Sequence, residues 1–374
     1  MAGSFFVRSA YCNHLVSAGR NVCSEGASGM IDKNAHIEIS DQTGSFYRRK
    51  MLSNNGLLSG IVLVAAIGLC SAVIADKINM YLLHVLIFSI IWAIFAIGWN
   101  LAAGFAGIKA FGHQAFFAIG AYSSSLLSIH LDLSPWVTMW VGAMIASVAS
   151  LIVVTPVLRL RSTPQIAIVT LAFGEIVRIL IENLRDFTGG DMGLIGIPPL
   201  PNINVPLIGE VLTYSQTDKV GYFFTAVALL VLVLSLAGGV MFSRYGMAMT
   251  AVRDAPEAAE SLGVNGSAYR ISIFALSAFI VGVSGAFFAH YLLILAPTDV
   301  ASLSLMIMII SMTIVGGYGS FLGPLLGAFI LTYISETSRF MYEYQMLIYG
   351  LLVIIAVRVA PGGIARLFSD RKVS

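Results

Sequence analysis

The sequence predicts an all-α, polytopic bundle of about 8–10 transmembrane spans, and composition and run length carry that expectation. Hydrophobic residues make up 58% of the 374-residue chain and charged residues only 11%, against about a quarter in an ordinary soluble domain. Several uncharged stretches reach the roughly 20 residues that a helix needs to cross about 30 Å of hydrocarbon. A membrane β-barrel would instead use short segments of alternating polarity.

Other classes are disfavoured by the same composition. A formal charge of +2 with no long basic run lacks the field that nucleic-acid binding requires, so nucleic acid is not an expected partner. Cys12, Cys23 and Cys70 form an odd set without metal-ligand spacing. Neither a metal nor any other cofactor is expected.

Residues 1–50 mix Ser, Gly, Asn and charges and end in Arg48, Arg49 and Lys50, which predicts a disordered cytoplasmic extension. They do not follow the basic, apolar, small-residue order of a secretory signal. Met51 follows the basic cluster, so the alternative that the working protein begins near there stays open. A transmembrane domain is expected over 51–368 and a short tail over 369–374. Within it the spans are placed at about 56–75, 80–102, 110–131, 135–157, 163–185, 220–242, 271–296, 302–318, 321–335 and 342–359. The uncharged run from Val300 to Ser335 is too long for one crossing. It is interrupted by Gly316, Gly317, Gly319, Gly323 and Pro324, which predicts two short helices or a re-entrant pair.

Basic residues set the expected orientation. Arg48, Arg49, Lys50, Lys109, Arg159, Arg161, Arg244, Arg253, Arg270, Arg358, Arg366, Arg371 and Lys372 fall on one side, read as cytoplasmic. Lys77, Lys219, Arg339 and the Gly- and Pro-rich segment from Phe187 to Lys219 fall on the other. Both termini are then cytoplasmic, in a cell (inner) membrane.

The chain carries no G-x-x-x-x-G-K-[ST] phosphate loop, no zinc-type His and Glu spacing and no nucleophile-elbow serine. It is therefore expected to be no enzyme, and energy must come from a partner or a gradient. The most informative polar segment is the loop at 244–270. Within it Pro256 suits a first helical turn, Asp254 or Ala255 can take the cap position, and Gly263 suits a left-handed exit. Glu257 and Glu260 lie early, where the helix dipole favours acids. Two turns are not stable alone in water, so this helix should be held by other membrane helices or by another subunit.

Glu257-Ala258-Ala259, followed after three residues by Gly263, resembles the E-A-A-x-x-x-G signature of permeases in ATP-binding cassette importers. The resemblance implies a coupling helix that docks on an ATP-hydrolysing subunit, with Arg253, Asp254, Pro256, Glu257, Ala258, Ala259 and Gly263 in the coupling loop. The family's I-x-L-P ending is replaced by Ile273-Phe274-Ala275-Leu276. Further segments are similar to permeases of branched-chain amino-acid importers. They are Phe111-Gly112-His113-Gln114-Ala115-Phe116-Phe117-Ala118-Ile119-Gly120-Ala121-Tyr122, Ile168 to Arg178, Thr188-Gly189-Gly190, and Gly316 to Pro324. The likeness covers about 56–368 in order. It implies ATP-binding cassette subunits, a second permease subunit, an extracytoplasmic solute-binding protein and a small amino-acid substrate as partners, within a lipid bilayer.

Ionisable groups inside spans are costly and usually face protein or water. Glu175 and Arg178, three apart on one helix, either pair with each other or face the translocation path. Glu182 lies nearer the outer end. His113 beside Gly112 is either a packing histidine or a gating contact, while His84 and His290 carry no motif. Gly112 with Gly120-Ala121-Tyr122 is echoed by Gly319 with Gly327-Ala328-Phe329, and such Gly-interrupted segments serve either close packing or gating. Gly112, His113, Glu175, Arg178, Gly319, Gly323 and Pro324 are thus the candidates for path or gate.

The expected function is a permease subunit of an ATP-driven importer, with branched-chain amino acids as substrate by resemblance. Urea or amide import, an ion-gradient-driven carrier, and a non-transporting membrane subunit are the alternatives. A gradient-driven carrier would need more mid-membrane ionisable groups than Glu175 and Arg178 supply.

Overall fold

The computed structural model describes residues 79–337, less 159, 161, 206–208, 213 and 215–218, together with 350, 351, 353, 354, 358 and 363. The expected extension at 1–50, the span at 56–75 and the tail at 369–374 lie outside the described residues, as does most of 342–359.

The first described helix, α1 (Met80–Asn100), starts where the Asn79 side chain accepts the Tyr81 amide, and it continues without charge into a π-helical turn over Leu101–Phe105. Helix α2 (His113–His130) follows Gly112 and ends before Asp132, whose φ of 49° is left-handed. Pro135 then opens α3 (Pro135–Val157), where a missing amide costs nothing. Helix α4 (Thr163–Asn183) carries Pro164 in its first turn.

The segment between α4 and the next span folds into small pieces. They are α5 (Arg185–Thr188), a 3-10 turn at Gly190–Met192, and strands β1 (Leu194–Ile195), β2 (Ile203–Val205) and β3 (Gly209–Leu212). In the Thr188-Gly189-Gly190 motif, Thr188 Oγ1 donates to the Ile181 carbonyl at 2.6 Å, and both glycines have positive φ. This ties the connection back onto the end of α4.

Beyond it come α6 (Val220–Met241), α7 (Arg244–Asp254), α8 (Pro256–Ser261) and α9 (Gly266–Leu292). Strand β4 (Ile294–Leu295) pairs antiparallel with β1, and α10 (Pro297–Val300), α11 (Leu303–Gly317) and α12 (Gly323–Thr337) complete the described helices.

The all-α polytopic bundle is what the structure contains. Six described helical stretches are long and apolar enough to cross a membrane, and α2 and α12, at 18 and 15 residues, fill the remaining expected positions between 80 and 337. The overlong run at 300–335 divides as its glycines require, into α11 and α12. Helix α9 departs from its expected bounds of 271–296. It begins at Gly266 because the Asn265 side chain accepts the Ala268 amide in the polar loop, and it stops at Leu293, which turns left-handed with φ of 62°.

Helix α9 is the axis of the bundle, buried along most of its length against α1, α2 and α3. Lipid gives no hydrophobic drive for helix association, so close packing and polar contacts must supply it. Small residues provide the packing: a Cβ on Gly120 would strike the Gly282 carbonyl, and one on Gly285 would strike that of Phe117. Hydroxyls provide the polar contacts, with Ser277 Oγ donating to the Gly98 carbonyl and Ser284 Oγ to that of Ile91, each at 2.7 Å. Helices α11 and α12 pack in the same way, Gly316 against Gly323 and Gly327 against Met312.

Candidate coupling and gating site

The coupling-loop residues form a compact helical elbow. Ala255, not Asp254, takes the N-cap of α8, and Pro256 occupies the first turn. Asp254 is engaged elsewhere, its carboxylate receiving Arg253 Nε at 2.7 Å and Nη2 at 3.2 Å. At the other end Gly263 has φ of 81°. The Val264 amide reaches back to the Ala259 carbonyl at 3.0 Å and the Gly263 amide to that of Glu260 at 2.9 Å. This paired arrangement satisfies terminal carbonyls and requires a left-handed residue, which glycine supplies without strain. Ala259 is the one α8 residue turned inward, whereas Glu257, Ala258, Glu260 and Ser261 are exposed. Leu262, at the tip, is 84% exposed.

Arg253 also reaches inward. Its Nη1 donates to the Gly104 carbonyl at 2.6 Å, inside the π turn that ends α1, and Gly107, with φ of 73°, lies against its stem. A helix end leaves several carbonyls without intrahelical partners, and here the four from Leu101 to Gly104 each have a partner. The Leu101 carbonyl accepts the Ala106 amide at 3.2 Å and that of Ala102 accepts the Ile108 amide at 3.0 Å. The Ala103 carbonyl accepts the Tyr318 hydroxyl, and that of Gly104 accepts Arg253. Burial pushes the Tyr318 phenol above its ordinary range while the Arg253 charge pulls the other way, so it stays a neutral donor.

Gly319 sits at the same point. Its amide donates to Asn100 Oδ1 at 2.9 Å, and Asn100 Nδ2 donates to the Ser320 carbonyl at 2.8 Å. The side chain of Asn100 thus clasps the turn between α11 and α12. In that turn Gly317 and Gly319 have φ of 128° and 73°, conformations that side chains other than glycine rarely adopt. Gly323 packs beneath it on Ser320, followed by buried Pro324 in the first turn of α12. Gly363 approaches Gly317 from the far end of the chain.

The motif segments on α2 and α4 interlock. The Phe111 amide donates to Thr170 Oγ1 at 2.9 Å, Gly112 lies against the Thr170 carbonyl, and Gly174 accommodates the Gln114 side chain. His113 is fully buried, its Nε2 2.9 Å from Ser277 Oγ and its ring edge-on to Phe116 and Phe274. Glu175 and Arg178 pair, with Arg178 Nε 2.9 Å from Glu175 Oε1, and the guanidinium also binds Glu182 one turn on. This Glu–Arg–Glu ladder is only partly covered, on a helix whose Ile168 and Ile176 are 68% and 62% exposed. Arg253, Gly104, Asn100 and Gly319 therefore meet at one point, while the α4 ladder forms a separate lateral face.

Sequence reasoning did not single out Asn100 or Gly104, and it reached Tyr318 only as part of the Gly316 to Pro324 segment. The available signal was Asn100, an uncombined amide at the end of an uncharged run, where an unsatisfied polar group is costly. At the opposite end a second polar cluster joins His84 Nδ1 to the Tyr291 hydroxyl at 2.6 Å and places the Lys219 ammonium 5.7 Å over the Tyr291 ring. A nearby cleft of about 460 Å³ is lined by Ser128, Asp132, Pro135 and Pro198, and contains none of the predicted path residues.

A polytopic helical bundle with six described stretches long and apolar enough to cross a membrane defines a multi-pass membrane protein. Residues 81–357 match the family described as branched-chain amino acid transport system / permease component, and the chain belongs to that family. It is 31% identical over 291 residues to the high-affinity branched-chain amino acid transport system permease protein LivM of Escherichia coli K12, covering 74% of this chain and 68% of that protein. The corresponding LivH permease of the same organism is 24% identical, covering 73% of this chain and 90% of that protein. A nucleoside ABC transporter permease, NupC of Lactococcus lactis, is 28% identical over 49% of this chain and 59% of its own. No solved structure matches. Members of this family are transporter components of ATP-binding cassette systems rather than enzymes, and this chain is a multi-pass membrane protein of that kind.

Proposed function

We propose that this chain imports branched-chain amino acids as one of two permease subunits, with the translocation path between them and ATP hydrolysis in separate subunits docked on α8. The observation that carries the reading is the form of α8. Its acids and Leu262 project outward, and two turns of helix that present an apolar tip to water are suited to insertion into a partner's groove. By the excess of Lys109, Arg244, Arg253 and Arg270 at that end, α8 lies in the cytoplasm and the α2–α3 turn outside, with both termini cytoplasmic.

The exposed face of α4 turns toward the second permease. Lipid would leave the charges of Glu175, Arg178 and Glu182 poorly solvated, whereas a protein seam or a water-filled path accommodates them. Solute arrives from an extracytoplasmic binding protein, whose ligand sets the substrate.

Gentle purification from the native membrane tests the assembly. Recovery of an ATP-hydrolysing subunit and a second permease, with leucine uptake into vesicles that stops on ATP depletion, supports it. A chain recovered without an ATPase and active with only an ion gradient overturns it. Uptake of a nucleoside or an amide in place of leucine overturns the substrate alone.

A further inference from the structure

We propose that Arg253, Asn100 and Tyr318 are positioning residues that carry the state of α8 to the glycine-broken turn between α11 and α12, through the π turn at Leu101–Phe105. The inference rests on the coupling role proposed for α8 and adds the route by which its movement reaches the membrane helices.

Three contacts define the route. Arg253, in the last turn of α7, stands three residues before α8, pairs with the neighbouring Asp254, and reaches the Gly104 carbonyl at 2.6 Å. Tyr318 holds the adjacent Ala103 carbonyl. Asn100, one residue before the π turn, holds both Gly319 and Ser320, at 2.9 and 2.8 Å. The π turn is thus gripped from the loop on one side and from the 317–320 turn on the other. Its conformation has no backbone donors of its own for the Ala103 and Gly104 carbonyls.

Such a turn is suited to two arrangements. Single π turns within helices mark places where the ladder is strained, and adjacent glycines at positive φ can change conformation at little cost. Gly104 contributes by having no side chain: a Cβ there would strike both Asn100 Oδ1 and Gly319, so α1 and the turn move together. Displacing α8 withdraws the Arg253 guanidinium, leaves the Gly104 carbonyl unsatisfied, and lets the π turn and the Gly319 clasp rearrange as a unit. A mere helix cap would secure α1 without any consequence at 317–320.

Amide exchange on the full chain in lipid nanodiscs tests the linkage. Removing Arg253 (Arg253→Ala) should raise exchange at residues 101–105 and also at 317–320 by about tenfold, the scale expected for losing a charge-assisted hydrogen bond. Arg253→Lys, which keeps a donor, should recover part of the protection. Unchanged exchange at 317–320 in a folded Arg253→Ala chain overturns the inference. In the reconstituted transporter, Asn100→Leu should retain the ATPase subunits while lowering solute moved per ATP about tenfold. An unaltered ratio in that variant also overturns it, whereas a wild-type chain that binds no ATPase removes the coupling reading and leaves the exchange result to judge the linkage.

Discussion

His113 Nε2 lies 2.9 Å from Ser277 Oγ, and that hydroxyl donates onward to the Gly98 carbonyl at 2.7 Å, so one imidazole joins α2 to α9 and, through it, to α1. Ser277 retains its bond to Gly98 without the histidine, which makes the loss at His113 chiefly one of packing between Phe116 and Phe274. His113→Ala is therefore expected to destabilise the chain by about 2–4 kcal/mol, as a fall in melting temperature in detergent. Uptake per folded molecule should change little. Lost uptake at an unchanged melting temperature would instead make His113 a gating residue.

The glycines in the bundle separate into two groups with opposite expected outcomes. Gly120 and Gly285 meet the carbonyls of Gly282 and Phe117, and backbone cannot yield as a side-chain tip can. Gly120→Ala should cost about 1–3 kcal/mol by overpacking. Gly239, within α6, has open space around it, and Gly239→Ala should be neutral or stabilising by up to about 1 kcal/mol through its effect on helix propensity. Thermal stability of the two variants side by side decides whether Cβ clearance governs this bundle.

Most of the fold was readable because membrane spans are written locally. The expected 135–157 coincides with Pro135–Val157, since a proline opens the helix and one apolar run fills it. The glycine and proline cluster likewise divided 300–335 into α11 and α12. Helix α9 was misplaced at its start because the first turn is polar and rests on an asparagine cap, and at its end because Leu293 turns left-handed within an apolar run, features hydropathy does not register. The Asn100 clasp was invisible for a different reason. Its partners lie 219 and 220 residues away, and nothing around Asn100 in the sequence names them. The α8 elbow was legible because its cap and proline are adjacent and its glycine follows within seven residues, but the inward reach of Arg253 was not.

The α4 ladder should behave as a unit. Arg178 is shared by Glu175 and Glu182, so Arg178→Met leaves two carboxylates facing each other across less than two turns. That single change should lower membrane yield and uptake more than the triple variant Glu175→Gln, Arg178→Met, Glu182→Gln, in which no ion is left unpaired. Uptake retained in the triple variant would assign the ladder to the permease seam. Uptake abolished in it while yield is normal would assign at least one of its charges to the solute path.

Leu262 offers the sharpest separation of docking from folding. It is 84% exposed, its neighbour Gly263 has nothing within reach of an added Cβ, and only Ala259 of α8 is turned inward. Leu262→Asp should therefore leave stability within about 0.5 kcal/mol of the parent, as surface changes do. If the tip enters an apolar groove on the ATPase, burying a leucine side chain is worth about 1.5–3 kcal/mol, and its replacement by a charge forfeits at least that. Association with the ATPase should then weaken by at least about tenfold, as measured by titrating the purified ATPase onto the chain in nanodiscs, and Glu257→Lys should weaken it as well by reversing charge on the same exposed face. Unaltered affinity in both variants would mean that α8 is a surface elbow and that the ATPase, if one binds, grips the chain elsewhere.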